Sequence, residues 1–158
     1  MFQDGSIVFS YVARFAESGS IDTFPAAEVS FLTKDGLWSA ILLLIDSGAR
    51  ISVLPKADAS ALGIVLENGL RMRASGIDGV VYGWKHDIEV KLGKAKISLP
   101  FLFLDSERSP RVLGRDGLFD KFSIVFEESK HRSGLLGAKT KESKAVSGVL
   151  DKIDGRVL

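Results

Sequence analysis

The chain has 158 residues, of which 46% are hydrophobic and 26% are charged, and its formal net charge is +1. These values predict one globular domain with a substantial core, and they exclude binding of nucleic acid or anionic surfaces through overall charge alone. Cysteine is absent, which excludes disulfides and a thiol nucleophile and fits a reducing cytoplasm.

The beginning of the sequence, MFQDGSIVFS, lacks the basic start and long apolar stretch of a secretory signal. The longest apolar run, residues 40–45, is too short to cross a bilayer. We therefore expect a cytoplasmic protein with no membrane partner.

Most of the chain is predicted to form strands. Residues 7–15 are rich in β-branched and aromatic side chains, and Asp35-Gly36 is a hairpin signal between two further strands. The second arm of that hairpin ends in an apolar run without alternation, which predicts burial on both faces. The other predicted strands cover residues 70–74, 80–92, 96–104 and 123–126, and short helices are predicted at 55–62 and 116–122.

The composition changes after Glu128, where the chain becomes poor in aromatics and rich in Lys, Ser and Gly. We interpret the first part of this tail as a linker, and the basic run 139–144 as solvated. Val146, Val149, Leu150 and Ile153 have helical spacing and predict a short C-terminal helix. The predicted organisation is thus a domain of residues 1–128 followed by a tail of residues 129–158.

Asp46 directly follows the apolar run, and burying an unpaired carboxylate would be costly. One interpretation of Asp46-Ser47-Gly48-Ala49 is an ordinary turn, since Asp, Ser and Gly all favour turns. The other is a catalytic loop, in which a carboxylate sits at the tip and Gly lets the backbone approach a partner or substrate.

Two later segments favour the catalytic interpretation. Residues 75–79 (SGIDG) join two strand-like arms, so a hairpin there could close over a substrate, although an ordinary turn explains them as well. Residues 112–116 (VLGRD) combine a strand end, a glycine and an acid, and Gly114 follows Asp46 by 114 − 46 = 68 residues.

Taken together, these segments resemble the retropepsin family of retroviral-type aspartic proteases, and especially its bacterial single-domain members. The resemblance covers residues 31–126 and includes Leu54-Pro55 after the first loop. It implies a mostly β fold, a closed β-barrel with one or two short helices. It also implies one catalytic Asp per chain, and because the sequence has a single Asp-Ser-Gly and no internal repeat, it implies a homodimer that cleaves polypeptides.

The resemblance assigns roles to individual residues. Asp46 would be catalytic, activating water jointly with its copy in the partner, with no metal or cofactor. Ser47, Gly48 and Ala49 would complete the active-site loop. The residues expected to bind substrate are Arg50, Ser75, Gly76, Ile77, Asp78 and Gly79, and those expected to support the loop are Gly114, Arg115 and Asp116.

One position departs from the family pattern. Many viral members have an acid four residues after the catalytic Asp, and that acid pairs with the Arg after the late Gly. Here the position is Arg50, so we expect Arg115 to pair with Asp116 or Asp120 instead. We also expect Arg50 to face the substrate and to favour acidic residues near the cleaved bond.

Two alternatives remain open at this point. The chain could be a catalytically silent dimerisation or peptide-binding module on the same fold, although the intact Asp46 loop argues against this. It could also be a small β-barrel that binds peptide or nucleic acid, but the sequence lacks a stripe of aromatic and basic residues. His86 and His131 are far apart in sequence and do not suggest a metal site.

Overall fold

The computed structural model describes residues 5–76, 79–106 and 109–155, which form twelve strands and two α-helices. The strands are β1 (Ile7–Ser10), β2 (Val12–Phe15), β3 (Ile21–Phe24), β4 (Ala26–Leu32), β5 (Trp38–Ile45), β6 (Ser52–Pro55), β7 (Leu70–Gly76), β8 (Gly79–Leu92), β9 (Ala95–Leu104), β10 (Val112–Leu113), β11 (Phe122–Glu127) and β12 (Arg132–Gly137). The helices are α1 (Lys56–Ala61) and α2 (Lys141–Ile153). No helix in these ranges is long and apolar enough to span a membrane.

Seven strands form the main sheet, in the order β4-β5-β10-β6-β9-β8-β7. A further antiparallel contact joins β4 to β8 through Ser30–Lys91 and Phe31–Val90, so the six strands from β4 to β8 form a continuous circuit. This architecture confirms the prediction of a mostly β fold.

The core lies inside this circuit and consists of aliphatic and aromatic side chains from nearly every strand. Phe31 and Phe101 meet edge to face with 5.2 Å between ring centroids. Other fully buried members are Leu43, Leu54, Leu99, Phe103, Leu113 and Leu135. Burying each such side chain contributes about 1.5–3 kcal/mol, so the circuit is a stable platform for the loops at its end.

Strand β5 is buried on one face only, which corrects the expectation of burial on both. Leu43 and Ile45 face the core, whereas Leu42 is 50% exposed and Leu44 is half-buried. The reason is that no second layer of the described structure covers the outer face of β5. The alternation continues beyond the strand to Asp46, which is half-buried.

The N-terminal segment forms two strands rather than one. β1 pairs with β12 in a three-stranded sheet, while β2 pairs only with β3 in a separate hairpin. The chain changes partner at Tyr11, whose amide donates to the carbonyl of His131 (2.8 Å).

Part of the expected linker after Glu128 is a strand. β12 lies between β1 and β11, and its Leu135 is fully buried in the core. One buried leucine in a short strand that also contains Arg, Ser and two Gly residues gives little sequence signal, which explains the error. The C-terminal helix is confirmed as α2, whose first turn is capped by the Thr140 hydroxyl accepting from the Ser143 amide (3.3 Å).

The two shorter predicted helices have different outcomes. α1 is confirmed, and Gly63 with φ +68° ends it. The predicted helix at 116–122 is instead a series of turns. Gly117 has φ +75°, a left-handed conformation that interrupts a right-handed helix.

Candidate active site

The short strand β10 brings the two sequence segments of interest together. It pairs in parallel with the end of β5, placing Leu113 beside Ile45, and antiparallel with β6, placing Val112 beside Val53. Because β5 runs directly into Asp46, the segment after β10 must lie against the Asp46 loop.

Backbone hydrogen bonds hold the Asp46 loop to the segment after β10. The Asp46 amide donates to the Leu113 carbonyl (3.1 Å). At the far end of the loop, the Arg115 amide donates to the Ala49 carbonyl (3.0 Å) and the Asp116 amide to the Arg50 carbonyl (2.8 Å). The loop is thus fixed at both ends by the same segment, whose residues lie 66 or 67 positions later in the chain (113 − 46 = 67, 115 − 49 = 66 and 116 − 50 = 66).

Within this frame the loop positions the Asp46 carboxylate itself. Its Oδ1 accepts hydrogen bonds from the amides of Gly48 (2.8 Å) and Ala49 (3.3 Å). In the described part of the chain, no group donates to Oδ2. The carboxylate is therefore held in one orientation with one oxygen available for a reactant or a second carboxyl group.

Asp46 marks the point where β5 leaves the core. The residue is half-buried, and the neighbouring Ser47 and Gly48 are exposed. The chain thus avoids the cost of a deeply buried charge and presents the tip of the loop outward. The tetrapeptide forms a turn, and its half-buried carboxylate is not enclosed by the core.

A buried hydroxyl that the sequence interpretation missed supports this site. Ser52 is fully buried, and its Oγ accepts from the Gly114 amide (3.0 Å). A Cβ at Gly114 would lie 2.6 Å from the backbone of Ile51, so only glycine allows the two segments to approach this closely. The available signal was a polar residue inside the apolar run 51–55.

The ion pair of the site differs from the one expected. Arg50 Nε donates to Asp116 Oδ2 (3.2 Å), so the Asp116 carboxylate binds Arg50 and not Arg115. The sequence could not resolve this, because the choice depends on the short backbone bond between Asp116 and Arg50. The Arg50 side chain remains 82% exposed, so this pair contributes little to stability.

The segment expected to cover the site is the β7–β8 hairpin. Its register pairs Gly76 with Gly79, and β8 pairs with β9 only from Gly83 onward. Residues 79–81 therefore extend beyond β9 and pair with β7, whereas the Tyr82 carbonyl still accepts from the Asp105 amide (2.9 Å). Ser75 is exposed, Gly79 has φ +110°, and the tip residues Ile77 and Asp78 lie outside the described residues.

A cleft of about 500 Å³ lies along the outer face of β5, lined in part by Leu42 and Leu44. Arg111 also lines the cleft and forms two 2.8 Å hydrogen bonds with Asp58 of α1. The bond to Asp58 raises the pKa of the Arg111 guanidinium. Neither residue was identified from the sequence, because an isolated Arg and Asp 53 positions apart carry no local signal.

Comparison with known proteins agrees with this geometry. Residues 32–119 match the aspartyl protease family, a range that contains the Asp46 loop, the β7–β8 hairpin and the segment after β10. None of the curated proteins compared with the chain is similar enough to match it.

Two solved structures are similar to the chain. A retropepsin-like aspartic protease from Rickettsia conorii is 18% identical with a TM-score of 0.57, over 83% of this chain and 98% of that one. The EIAV protease complexed with the inhibitor HBY-793 is 27% identical with a TM-score of 0.47, over 61% of this chain and 86% of that one. Since the family match spans more than half of the chain and includes the site, this protein belongs to the aspartyl protease family and has a retropepsin-like fold.

Proposed function

We propose that the protein is an aspartic endopeptidase that acts as a homodimer with one active site on the two-fold axis. The observation that carries the proposal is the Asp46 carboxylate, which two amides of its own loop hold in an outward orientation. Because the segment after β10 holds both ends of the loop, the loop loses little conformational freedom when a substrate binds.

In the proposed mechanism two copies of Asp46 share a single proton. Two carboxyl groups at short distance cannot both ionise easily, as in aspartic proteases generally. The ionised copy takes a proton from a bound water, and that water attacks the carbonyl carbon of the scissile peptide bond. The protonated copy donates to the carbonyl oxygen, and collapse of the tetrahedral intermediate releases the amine after it is protonated.

The proposal of a dimer rests on the number of Asp-Ser-Gly motifs in one chain. The sequence contains one Asp-Ser-Gly and no internal repeat, so the second carboxyl must come from another copy. Ser47 is exposed at the loop tip, where its hydroxyl can bond the partner's loop. Ser47 replaces the family's more usual Thr, which keeps the hydroxyl and loses a methyl group.

The substrate is proposed to bind as an extended peptide between the Asp46 loops and the β7–β8 hairpins. The free end of that hairpin supports a role as a flap, and Ser75, Gly76, Ile77, Asp78 and Gly79 would close over the peptide. Gly48 and Ala49 would offer backbone groups to the peptide, as in strand addition. The cytoplasmic location remains a prediction.

The deciding experiment is peptide cleavage by the purified chain at mildly acidic pH, with and without Asp46→Asn. Loss of the shared carboxylate should reduce cleavage by at least about 10³-fold, because the water is no longer activated. Asp151→Asn, on the exposed face of α2, is the matched control and should cleave like the native chain. Cleavage that survives Asp46→Asn contradicts the proposal, and a dimer that cleaves nothing supports the silent binding module.

A further inference from the structure

The cleft along β5 lies on the same face as the Asp46 carboxylate. Leu42, Leu44 and Asp46 alternate with the buried Leu43 and Ile45, so all three project away from the core. At about 3.3 Å per residue, Leu44 is roughly 7 Å from Asp46 along the strand. A peptide positioned for attack at Asp46 would place a nearby side chain over this cleft.

The polar lining of the cleft comes from segments outside β5. Arg14 belongs to the β2–β3 hairpin, Asp58 to α1, and Ser109 and Arg111 to the segment before β10. These contribute two cations and one anion around an apolar floor.

The hydrogen-bonding capacity left in the cleft consists mainly of donors. Both oxygens of Asp58 are occupied by Arg111, which uses two of its five N–H groups. Arg14 likewise uses two N–H groups, both on Asp22 Oδ2 (3.1 and 2.9 Å). Ser109 Oγ is buried and has no hydrogen-bond partner among the described residues.

A ligand group that matches this lining has an apolar stem and ends in acceptors. A glutamate side chain meets both requirements, because its methylene groups can pack on Leu42 and Leu44 while its carboxylate accepts from the guanidiniums. Glutamine offers one acceptor oxygen and no negative charge, so it would bind the guanidiniums more weakly. Leucine would fill the apolar floor and leave every donor unused.

We propose that this cleft is a specificity subsite that selects a glutamate side chain close to the scissile bond, with Arg111 as the specificity-determining residue. Asp58 is a positioning residue, since it fixes the plane of the Arg111 guanidinium through two bonds. This inference rests on the proposed protease function. It assigns the acidic preference expected of Arg50 to a different arginine, because Arg50 does not line the cleft and Arg111 does.

The test is a binding experiment that does not require catalysis. A random decapeptide library is passed over immobilised Asp46→Asn protein, and the retained peptides are sequenced. The best peptide is then compared with its Glu→Gln and Glu→Leu analogues by fluorescence anisotropy. We expect enrichment of Glu at one position and about 10-fold weaker binding of both analogues, with the Glu-to-Gln difference shrinking as salt is raised.

Variants in the same Asp46→Asn background identify the responsible side chain. The affinity of the best peptide divided by that of its Glu→Gln analogue is the selectivity ratio. Arg111→Gln should bring this ratio to about one, and Asp58→Asn should reduce it in part. Arg132→Gln is the matched control, since Arg132 also pairs with an acidic side chain and is similarly exposed, and it should leave the ratio unchanged. If Arg111→Gln does not fold, Arg14→Gln takes its place, because the β2–β3 hairpin lies outside the main sheet.

The outcomes separate this inference from the protease proposal. Absence of Glu enrichment, or an unchanged ratio in the arginine variants, overturns the subsite whether or not the native chain cleaves peptides. If the ratio of affinities falls to about one in Arg50→Gln but not in Arg111→Gln, then Arg50 is the residue that selects the acidic side chain. If the native chain cleaves no peptide, the protease proposal is rejected, whereas the binding measurement still decides whether the cleft selects glutamate.

Discussion

At the scale of single residues, the site depends on positions that only one or two amino acids can occupy. Gly114 passes within contact distance of the Ile51 backbone, and the neighbouring Ser52 hydroxyl satisfies its amide. Both residues lie beside the Asp46 loop without belonging to its chemistry. Their role is to hold the two segments of the site at a fixed separation.

Gly114→Ala should therefore damage both stability and activity. The added Cβ would meet the backbone carbon and oxygen of Ile51 at 2.6 Å and the Ser52 nitrogen at 2.9 Å, and backbone atoms cannot rotate away. We expect the free energy of unfolding to fall by about 3 kcal/mol. Urea denaturation measures this change directly.

Gly148→Ala provides the control for the same chemical change. Gly148 lies inside α2, and no atom lies within 4 Å of the position that an added Cβ would take. This variant should be more stable by about 0.5–1 kcal/mol, because alanine is the better helix former. Equal stability losses in both variants would show that the approach of Gly114 to Ile51 is not tight.

At the scale of the elements, the hairpin formed by β11 and β12 holds an ion cluster at its turn. Glu127 accepts from Lys130 Nζ (2.9 Å) and from Arg132 Nε across the hairpin. Hydrogen bonds from Lys130 and Arg132 lower the pKa of the Glu127 carboxyl below its ordinary value of 4.5. The cluster thus stabilises the fold only while Glu127 is ionised.

The sign of this effect predicts a pH dependence. A carboxyl with a lowered pKa in the folded state adds stability above pH 4.5, and that stability is lost as the pH falls through the lowered value. Glu127→Gln should have a slightly lower Tm than the native chain at pH 7. The two melting curves should converge well below pH 4.5. Glu17→Gln, on an exposed turn, serves as control, and a Tm gap that persists at low pH would contradict this account.

The elements also show which sequence patterns predict structure. The long strands β8 and β9 and the helices α1 and α2 were predictable, because each has a run of apolar spacing or a clear end signal. β12 was not, since Leu135 is the main apolar contribution of a short strand. The outer face of β5 was also misjudged, because an apolar run does not reveal that one face is left uncovered by the chain.

The candidate site was predictable to a similar extent. Asp46 and the segment after β10 were found because both have local motifs. The pairing of Arg50 with Asp116, the buried Ser52 and the Arg111–Asp58 pair depend on contacts between distant segments. Such contacts follow from the topology of the sheet, which a single sequence does not contain.

At the scale of the whole molecule, one chain supplies half of the proposed site. The circuit of six strands carries the Asp46 loop, the cleft and the start of the β7–β8 hairpin. In the proposed mechanism, the second carboxyl comes from another copy. Activity should then depend on association as well as on folding.

Cleavage per mole of protein should accordingly rise with protein concentration and level off when all chains are dimeric. A fixed fluorogenic peptide measures this across a dilution series, and analytical ultracentrifugation measures the fraction of dimer in parallel. The two curves should share one midpoint. Constant activity per mole in samples that sediment as monomers would contradict a shared active site.

The parallel pairing of β10 with β5 has a consequence for synthesis of the protein. Ile45 and Leu113 are partners although they lie 113 − 45 = 68 residues apart. A nascent chain cannot secure the Asp46 loop until Leu113 has emerged from the ribosome. An emerging protease of this design would stay inert towards its neighbours for most of its translation.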